Sequence, residues 1–248
     1  MISGRPPAAT SNVTHDTLHD RPGSEDPLSA LIATEQSHAF VIAQLGQSLD
    51  GRIATISGDS RDISGAAALD HLHRLRAHVD AVVVGVGTAI ADDPQLTVRR
   101  VPGRSPARVV IDPSGRLPAG ARCLAADGAR RLVVGARPAC ADDDVETIEI
   151  PRRDGRLAPA AIIEALRRRG LKRILIEGGP CTIARFLAAG CLDRLHVLVS
   201  PLIIGSGRAG LDLEPITALH QALRPATRVH LLGGGDVLFD CDLRQPQG

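Results

Sequence analysis

The sequence has almost no aromatic side chains. Of 248 residues only three are Phe, and there is no Trp and no Tyr. Proteins that bind single-stranded nucleic acid stack bases on aromatic rings, so this scarcity argues against that class. The charges are balanced as well, with 29 Lys and Arg against 28 Asp and Glu, which predicts no basic surface for DNA or RNA. The core must therefore be built from Ala, Val, Leu and Ile.

The chain also lacks the patterns of a metal site, a disulfide framework and a membrane segment. Its five Cys form no C-x-x-C pair and have no His at zinc-finger spacing. His71, His73 and His78 share one predicted helix but point to different faces, which predicts no metal site there. No apolar run of about 20 residues and no signal peptide is present. We expect a soluble, cytoplasmic protein that has reduced thiols and no nucleic-acid or membrane partner.

Two segments differ in composition. Residues 1–36 are rich in Pro, Ser, Thr, Asp and His, which predicts a disordered extension, whereas residues 37–248 form the folded domain. Strands are predicted at 40–46, 80–86, 107–112, 131–136, 146–150, 173–177, 193–204 and 228–243, and helices at 65–78, 159–169 and 180–189. This alternation predicts an α/β fold, with a mixed, mostly parallel sheet, helices on both faces and an antiparallel finish.

The stretch V-I-A-Q-L-G-Q-S-L-D-G-R-I-A at 41–54 interrupts an apolar run with an acid and a base. Asp50-Gly51 between two apolar runs is a strong hairpin signal, because Gly adopts positive φ without steric cost. The alternative is that the chain bends here to direct polar groups at a ligand.

The predicted helix at 65–78 has an apolar stripe, formed by Leu69, Leu72, Leu75 and Val79. Arg76 lies on the margin of that stripe. Its guanidinium either extends along the apolar surface into water or turns inward to grip a phosphate or carboxylate in two places.

Two strand ends carry candidate binding residues. The first strand runs into Gly85-Val86-Gly87-Thr88, and Arg99 follows within a short reach. The second ends at Glu177 and opens a helix through Gly178-Gly179-Pro180, where backbone N–H groups favour anions. Glu177 either caps that helix or accepts hydrogen bonds from a substrate with several donors.

Several motifs follow one another in a single order across residues 40–210. They are S-L-D-G-R at 48–52, L-R-A at 75–77, D-A-V-V-V-G-V-G-T at 80–88, A-D-D-P-Q-L-T-V-R at 91–99, R-V-V-I-D at 108–112, I-E-G-G-P at 176–180 and S-P-L-I-I-G-S-G at 200–207. In these motifs the chain resembles the riboflavin-biosynthesis pyrimidine reductases. That family is the reductase half of a bifunctional deaminase/reductase and has a dihydrofolate-reductase-like fold.

The resemblance implies that NADPH reduces C1′ of a ribosylamino-pyrimidine 5′-phosphate to give a ribitylamino product, and that the protein is a homodimer. It places Asp50 and Glu177 at the reacting centre. Implied substrate contacts are Ser60, Arg76, Leu96, Arg99 and Glu177, with the two arginines as phosphate anchors. Implied cofactor contacts are Gly46, Asp62, Thr88, Asp92, Gly178, Gly179, Pro180, Cys181 and Thr182.

Two positions depart from the family pattern. Asp62 stands where the family usually has Trp, and Gln44 stands where Lys is common in the first strand. The zinc signature of the deaminase half, H-x-E with P-C-x-x-C, is absent from these 248 residues, so we expect a separate deaminase. The alternatives are a reductase of another pyrimidine or pteridine-like metabolite and a dinucleotide-binding protein without turnover.

Overall fold

The computed structural model describes residues 25–34, 39–136, 143–153 and 155–244. Its strands are β1 (Phe40–Ser48), β2 (Arg52–Thr55), β3 (Ala81–Gly85), β4 (Ala107–Asp112), β5 (Arg131–Gly135), β6 (Val145–Ile148), β7 (Arg152–Arg153), β8 (Arg156–Leu157), β9 (Arg173–Glu177), β10 (Arg194–Ser200), β11 (Gly207–Ala209), β12 (Ala226–Leu231) and β13 (Val237–Asp242). Its helices are α1 (Ser29–Ala33), α2 (Ala66–His78), α3 (Val86–Asp92), α4 (Pro159–Arg167) and α5 (Pro180–Ala188).

Nine strands form the main sheet, in the order β12-β13-β10-β1-β9-β3-β4-β5-β6. All neighbouring pairs from β10 to β6 are parallel, whereas β13 pairs antiparallel with both β10 and β12. Helices α4 and α5 cover one face through Ile162 and Phe186. The helices α1, α2 and α3 cover the other through Leu31, Leu75 and Val86. The predicted fold class, including its antiparallel finish, is confirmed.

The N-terminal boundary of the folded part lies earlier than predicted. Residues 1–24 and 35–38 of the expected extension lie outside the described residues. Residues 25–34, however, contain α1, and Leu28 and Leu31 are at most 1 % exposed. Burying each leucine stabilises by roughly 1.5–3 kcal/mol, which offsets part of the cost of ordering this short segment. The prediction of disorder is therefore wrong for residues 25–34.

Helix α2 turns a more polar face to the sheet than its apolar stripe predicted. Leu75 is fully buried, but Leu69 is 38 % exposed, so its placement in the stripe is wrong. His71 and His73 are buried in its place. The reason is that each imidazole has a partner inside the protein, as described below, and a satisfied polar side chain costs little to bury.

Three local predictions also need correction. The expected strand at 80–86 ends at Gly85 and gives way to α3, a helix that is absent from the predicted elements. The expected strand at 228–243 is two strands, β12 and β13, separated at Gly233–Gly235. The strand predicted at 193–204 ends at Ser200.

Asp50-Gly51 forms a tight turn but not a hairpin. The Gly51 N–H donates to the Ser48 carbonyl at 3.0 Å, and Gly51 has φ 75°. Strand β2, however, pairs antiparallel with β11 in a separate two-stranded sheet, so the hairpin prediction is wrong. The turn lifts the chain away from the main sheet at the carboxyl end of β1.

A buried polar network lies between α2 and the antiparallel strands. His71 Nε2 is 3.1 Å from His196 Nδ1, and His196 Nε2 is 3.2 Å from Asp240 Oδ1. Arg194 Nη1 donates to both Asp240 oxygens at 2.6 and 2.5 Å. Burial, together with the neighbouring His196, lowers the pKa of His71 to about 3, so this ring is neutral at neutral pH.

Candidate active site

The candidate site lies at the carboxyl edge of the parallel strands, where open α/β sheets bind ligands. Glu177 is the last residue of β9 and Gly85 the last of β3. In register, Gln44 of β1 lies beside Glu177 on one side and beside His196 of β10 on the other. Paired residues of neighbouring strands share a face of the sheet, so all three side chains lie on the face that α2 covers.

Arg76 and Glu177 form a two-pronged ion pair at this edge. Arg76 Nε donates to Glu177 Oε2 at 2.8 Å, and Nη2 contacts Oε1. The third donor, Nη1, reaches the Thr97 carbonyl at 2.9 Å. The two side chains are 5 % and 11 % exposed. Arg76 therefore turns inward rather than extending into water, and the carboxylate that it grips belongs to the protein's own Glu177. Glu177 does not cap α5, because the N-terminus of that helix has no side-chain capping hydrogen bond.

The segment at 96–99 packs directly against this pair. Leu96 is 1 % exposed and has φ 58°, a left-handed conformation that is unfavourable for a residue with a branched side chain. The Arg99 side chain is exposed, and its Nη1 is 3.4 Å from Thr97 Oγ1. His73 Nδ1 accepts a hydrogen bond from the Arg99 N–H at 3.1 Å. The sequence does not predict this contact of His73, for which the spacing of one helical turn between His73 and Arg76 is the only signal.

Glycines and threonines from the ends of β3 and β9 meet in a narrow cradle. A Cβ added at Gly179 would lie 2.6 Å from Thr88 Oγ1, and one added at Gly85 would lie 2.5 Å from Thr182 Oγ1. Gly178 and Gly179 both have positive φ, 68° and 71°. Only glycine fits these positions without displacing a neighbour, and the resulting surface presents backbone and hydroxyl groups.

Two further features lie toward the carboxyl ends of β1 and β9. A Cβ added at Gly46 of β1 would lie 2.9 Å from Ser64 Oγ, so this strand also approaches its neighbours closely. Helix α5 begins at Pro180, and Cys181 in its first turn is exposed. The N-terminus of this helix carries a partial positive charge, which favours an anionic group beside it.

Asp50 joins the turn after β1 to a loop that follows β10. Its carboxylate accepts hydrogen bonds from Ser48 Oγ at 2.5 Å, from the Ile204 N–H at 3.1 Å and from the Gly205 N–H at 2.7 Å. The Ser48 hydroxyl and then the Ile204 amide lower the pKa of Asp50 to about 2. Asp50 is therefore ionised at neutral pH and is a weak base, which suits an orienting role better than proton transfer.

Comparison with known proteins identifies the family. Residues 39–234 match the family described as RibD C-terminal domain. The chain belongs to this family. A 2,5-diamino-6-ribosylamino-4(3H)-pyrimidinone 5′-phosphate reductase of Methanothermobacter thermautotrophicus is 32 % identical over 211 residues, which cover 81 % of this chain and 96 % of the relative.

The longer RibD proteins match over part of their length. The riboflavin biosynthesis protein RibD of Aquifex aeolicus is 31 % identical over 210 residues, which are 82 % of this chain and 58 % of the relative. The structure of Acinetobacter baumannii RibD superposes with a TM-score of 0.72 at 29 % identity, covering 83 % of this chain and 58 % of that one. This RibD C-terminal domain therefore spans little more than half the length of such relatives.

Three of the predicted substrate and cofactor contacts lie apart from the ion pair and the cradle. Ser60 is half-buried and Asp62 exposed, both in the segment between β2 and α2. Asp62 has φ 60°, a conformation that Asp tolerates better than Trp does. Asp92 ends α3, and partial burial raises the pKa of its carboxyl group. No hydrogen bond within the described residues joins these three to the cradle or to the ion pair.

Proposed function

We propose that this chain reduces a ribosylamino-pyrimidine 5′-phosphate to its ribitylamino product in riboflavin biosynthesis, with NADPH as the hydride donor. The observation that carries the proposal is the meeting, at one sheet edge, of a buried Arg76–Glu177 pair and a glycine-threonine cradle. A relative that this chain matches over 96 % of its length is named as a reductase of this kind. The predicted reductase function and the family agree.

The cradle fits a dinucleotide. Gly46, Gly178 and Gly179 lie where a side chain would collide or be strained, so an extended cofactor can lie against backbone. Thr88 and Thr182 offer hydroxyl donors beside it, and the start of α5 favours a phosphate group. NADPH, when bound, supplies the hydride for C1′ of the sugar.

On the substrate side we assign the phosphate to Arg99 rather than to Arg76. All three donor nitrogens of Arg76 are engaged by Glu177 and the Thr97 carbonyl, whereas the Arg99 guanidinium is exposed. Arg76 instead fixes the Glu177 carboxylate, whose remaining acceptor capacity receives donors from the pyrimidine or the sugar. Leu96 is 1 % exposed, so its side chain helps to hold the segment at 96–99 rather than contacting substrate, and Ser60 stays a predicted substrate contact.

We also propose that two copies associate through the β12 edge. In the main sheet β12 is the outermost strand, so one of its sides has no strand neighbour in that sheet. Exposed aliphatic side chains surround it, including Leu219 at 77 %, Leu231 at 71 % and Val229 at 57 %. Bare strand edges with apolar side chains favour association. A monomeric mass in light scattering would refute the homodimer.

A second candidate function keeps NADPH and the fold but changes the substrate to another pyrimidine or pteridine-like metabolite. It is favoured by Gln44, a neutral side chain that is 7 % exposed beside Glu177. An amide both donates and accepts, so it recognises a different group from a lysine. Turnover of the ribosylamino pyrimidine, followed by NADPH absorbance, decides between the two.

We place the reaction in the cytoplasm. Among the described residues Cys123, Cys181, Cys191 and Cys241 are all free thiols, which suits a reducing compartment. In the described parts of the chain, every helix is too short or too polar to cross a bilayer.

A further inference from the structure

The segment from Asp93 to Arg99 has an unfavourable backbone. Asp93 has φ 39° and Leu96 has φ 58°, and neither is a glycine. A strained backbone persists only where the surroundings determine it. The contacts that hold this segment are therefore part of how Arg99 is placed.

Two of these contacts come from consecutive turns of α2. Arg76 Nη1 donates to the Thr97 carbonyl at 2.9 Å, and His73 Nδ1 accepts from the Arg99 N–H at 3.1 Å. An imidazole accepts at Nδ1 only when it is neutral and carries its proton on Nε2. Burial, followed by the charges of Arg76 and Arg99, lowers the pKa of His73 to about 4, so the acceptor is available at neutral pH.

We propose that His73 is a positioning residue, which fixes the main chain of Arg99 so that its exposed guanidinium meets the substrate phosphate. The proposal rests on the phosphate role assigned to Arg99 above. His73 is 2 % exposed and does not reach the phosphate itself. Its effect on binding passes through the Arg99 N–H, and it therefore concerns phosphorylated substrates alone.

Two substitutions separate this role from packing. His73→Asn places an amide oxygen near the position of Nδ1 and keeps the acceptor, whereas His73→Leu fills the space without one. Losing one hydrogen bond of this kind raises KM about 5- to 10-fold. We expect this rise in His73→Leu for the phosphorylated substrate, with KM for the dephosphorylated form unchanged and with His73→Asn close to wild type. An equal rise for both substrates, or equal effects of Asn and Leu, would overturn the proposal.

A third variant covers the case in which His73→Leu does not fold. His73→Gln places its amide oxygen near the position of Nε2, so it too lacks an acceptor for the Arg99 N–H. The KM rise is expected for His73→Gln and not for His73→Asn. If these two variants match each other, the proposal is wrong.

Binding measurements keep the test independent of turnover. Ribose 5-phosphate and ribose serve as probes in calorimetry, so the test proceeds even if the pyrimidine is not a substrate. We expect His73→Leu and Arg99→Ala each to weaken ribose 5-phosphate binding. The double variant should bind no more weakly than Arg99→Ala, because both changes remove one contact. Unchanged ribose 5-phosphate binding in His73→Leu would contradict the role of His73, whereas unchanged binding in Arg99→Ala would contradict the phosphate assignment.

Discussion

Replacing Arg76 by Met should destabilise the fold strongly. The change leaves the Glu177 carboxylate buried without its cation and also removes the donor to the Thr97 carbonyl. Breaking a buried pair from one side costs about 3–5 kcal/mol. A domain typically has 5–15 kcal/mol of stability, so this loss is a large fraction of the total. At 2–4 °C per kcal/mol, the melting temperature should fall by roughly 6–20 °C.

Urea unfolding followed by circular dichroism measures this cost, and a double-mutant cycle assigns it to the pair. Arg76→Met with Glu177→Gln leaves no unpaired charge, so it should be at least about 2 kcal/mol more stable than the sum of the single effects. Arg100→Met is the matched control, because Arg100 pairs with Asp70 of the same helix and Asp70 is 46 % exposed; it should cost under about 1 kcal/mol. Additive single effects, or an Arg76 cost as small as the control, would refute the coupling.

Three other outcomes follow from the geometry. Gly179→Ala should raise the KM for NADPH about tenfold, because the position has φ 71° and an added Cβ would lie 2.6 Å from Thr88 Oγ1. An unchanged KM would show that the cradle does not bind NADPH. Asp50→Asn should lower kcat by less than about 100-fold and leave the dependence of kcat on pH unchanged, because an ionised orienting group carries no proton. A larger loss, together with the disappearance of one ionisation from the plot of kcat against pH, would indicate proton transfer. The pKa of His71 is lowered to about 3 in the folded state, so the free energy of unfolding should fall by about 1.4 kcal/mol per pH unit between pH 6.5 and 3. Urea unfolding at several pH values measures this slope. If His71→Met has the same slope as wild type, the prediction is wrong.

Most of the fold could be predicted from local pattern. Continuous apolar runs such as Ile174-Leu175-Ile176 predicted buried parallel strands, and Pro159 correctly marked the start of a helix. The exceptions are places where tertiary contacts outweigh composition. Two leucines pack residues 25–34 against the core, although the longer stretch 1–36 is rich in polar residues and Pro. On α2 the paired imidazole of His71 is buried, whereas Leu69, which the apolar stripe predicted to be buried, is exposed.

The motifs predicted which side chains lie close together at the candidate site, but not how those side chains pair. The motifs placed Arg76, Arg99 and Glu177 together, and the structure brings all three to one edge. The separate roles of the two arginines depend on which of their N–H donors are hydrogen-bonded inside the protein. Spacing along the chain does not specify this. The same limit applies to His73, since its partner is a main-chain N–H 26 residues away in sequence.

The loss of NADPH absorbance, measured with purified protein and a ribosylamino pyrimidine phosphate, is the direct test of the proposed reductase activity. The aminated and deaminated pyrimidines are run separately, with NADH beside NADPH. We expect turnover of at least one pyrimidine, with NADPH preferred and with activity strongly reduced in Arg99→Ala. Tight NADPH binding without oxidation of either pyrimidine would contradict it and would move the search to other reducible heterocycles.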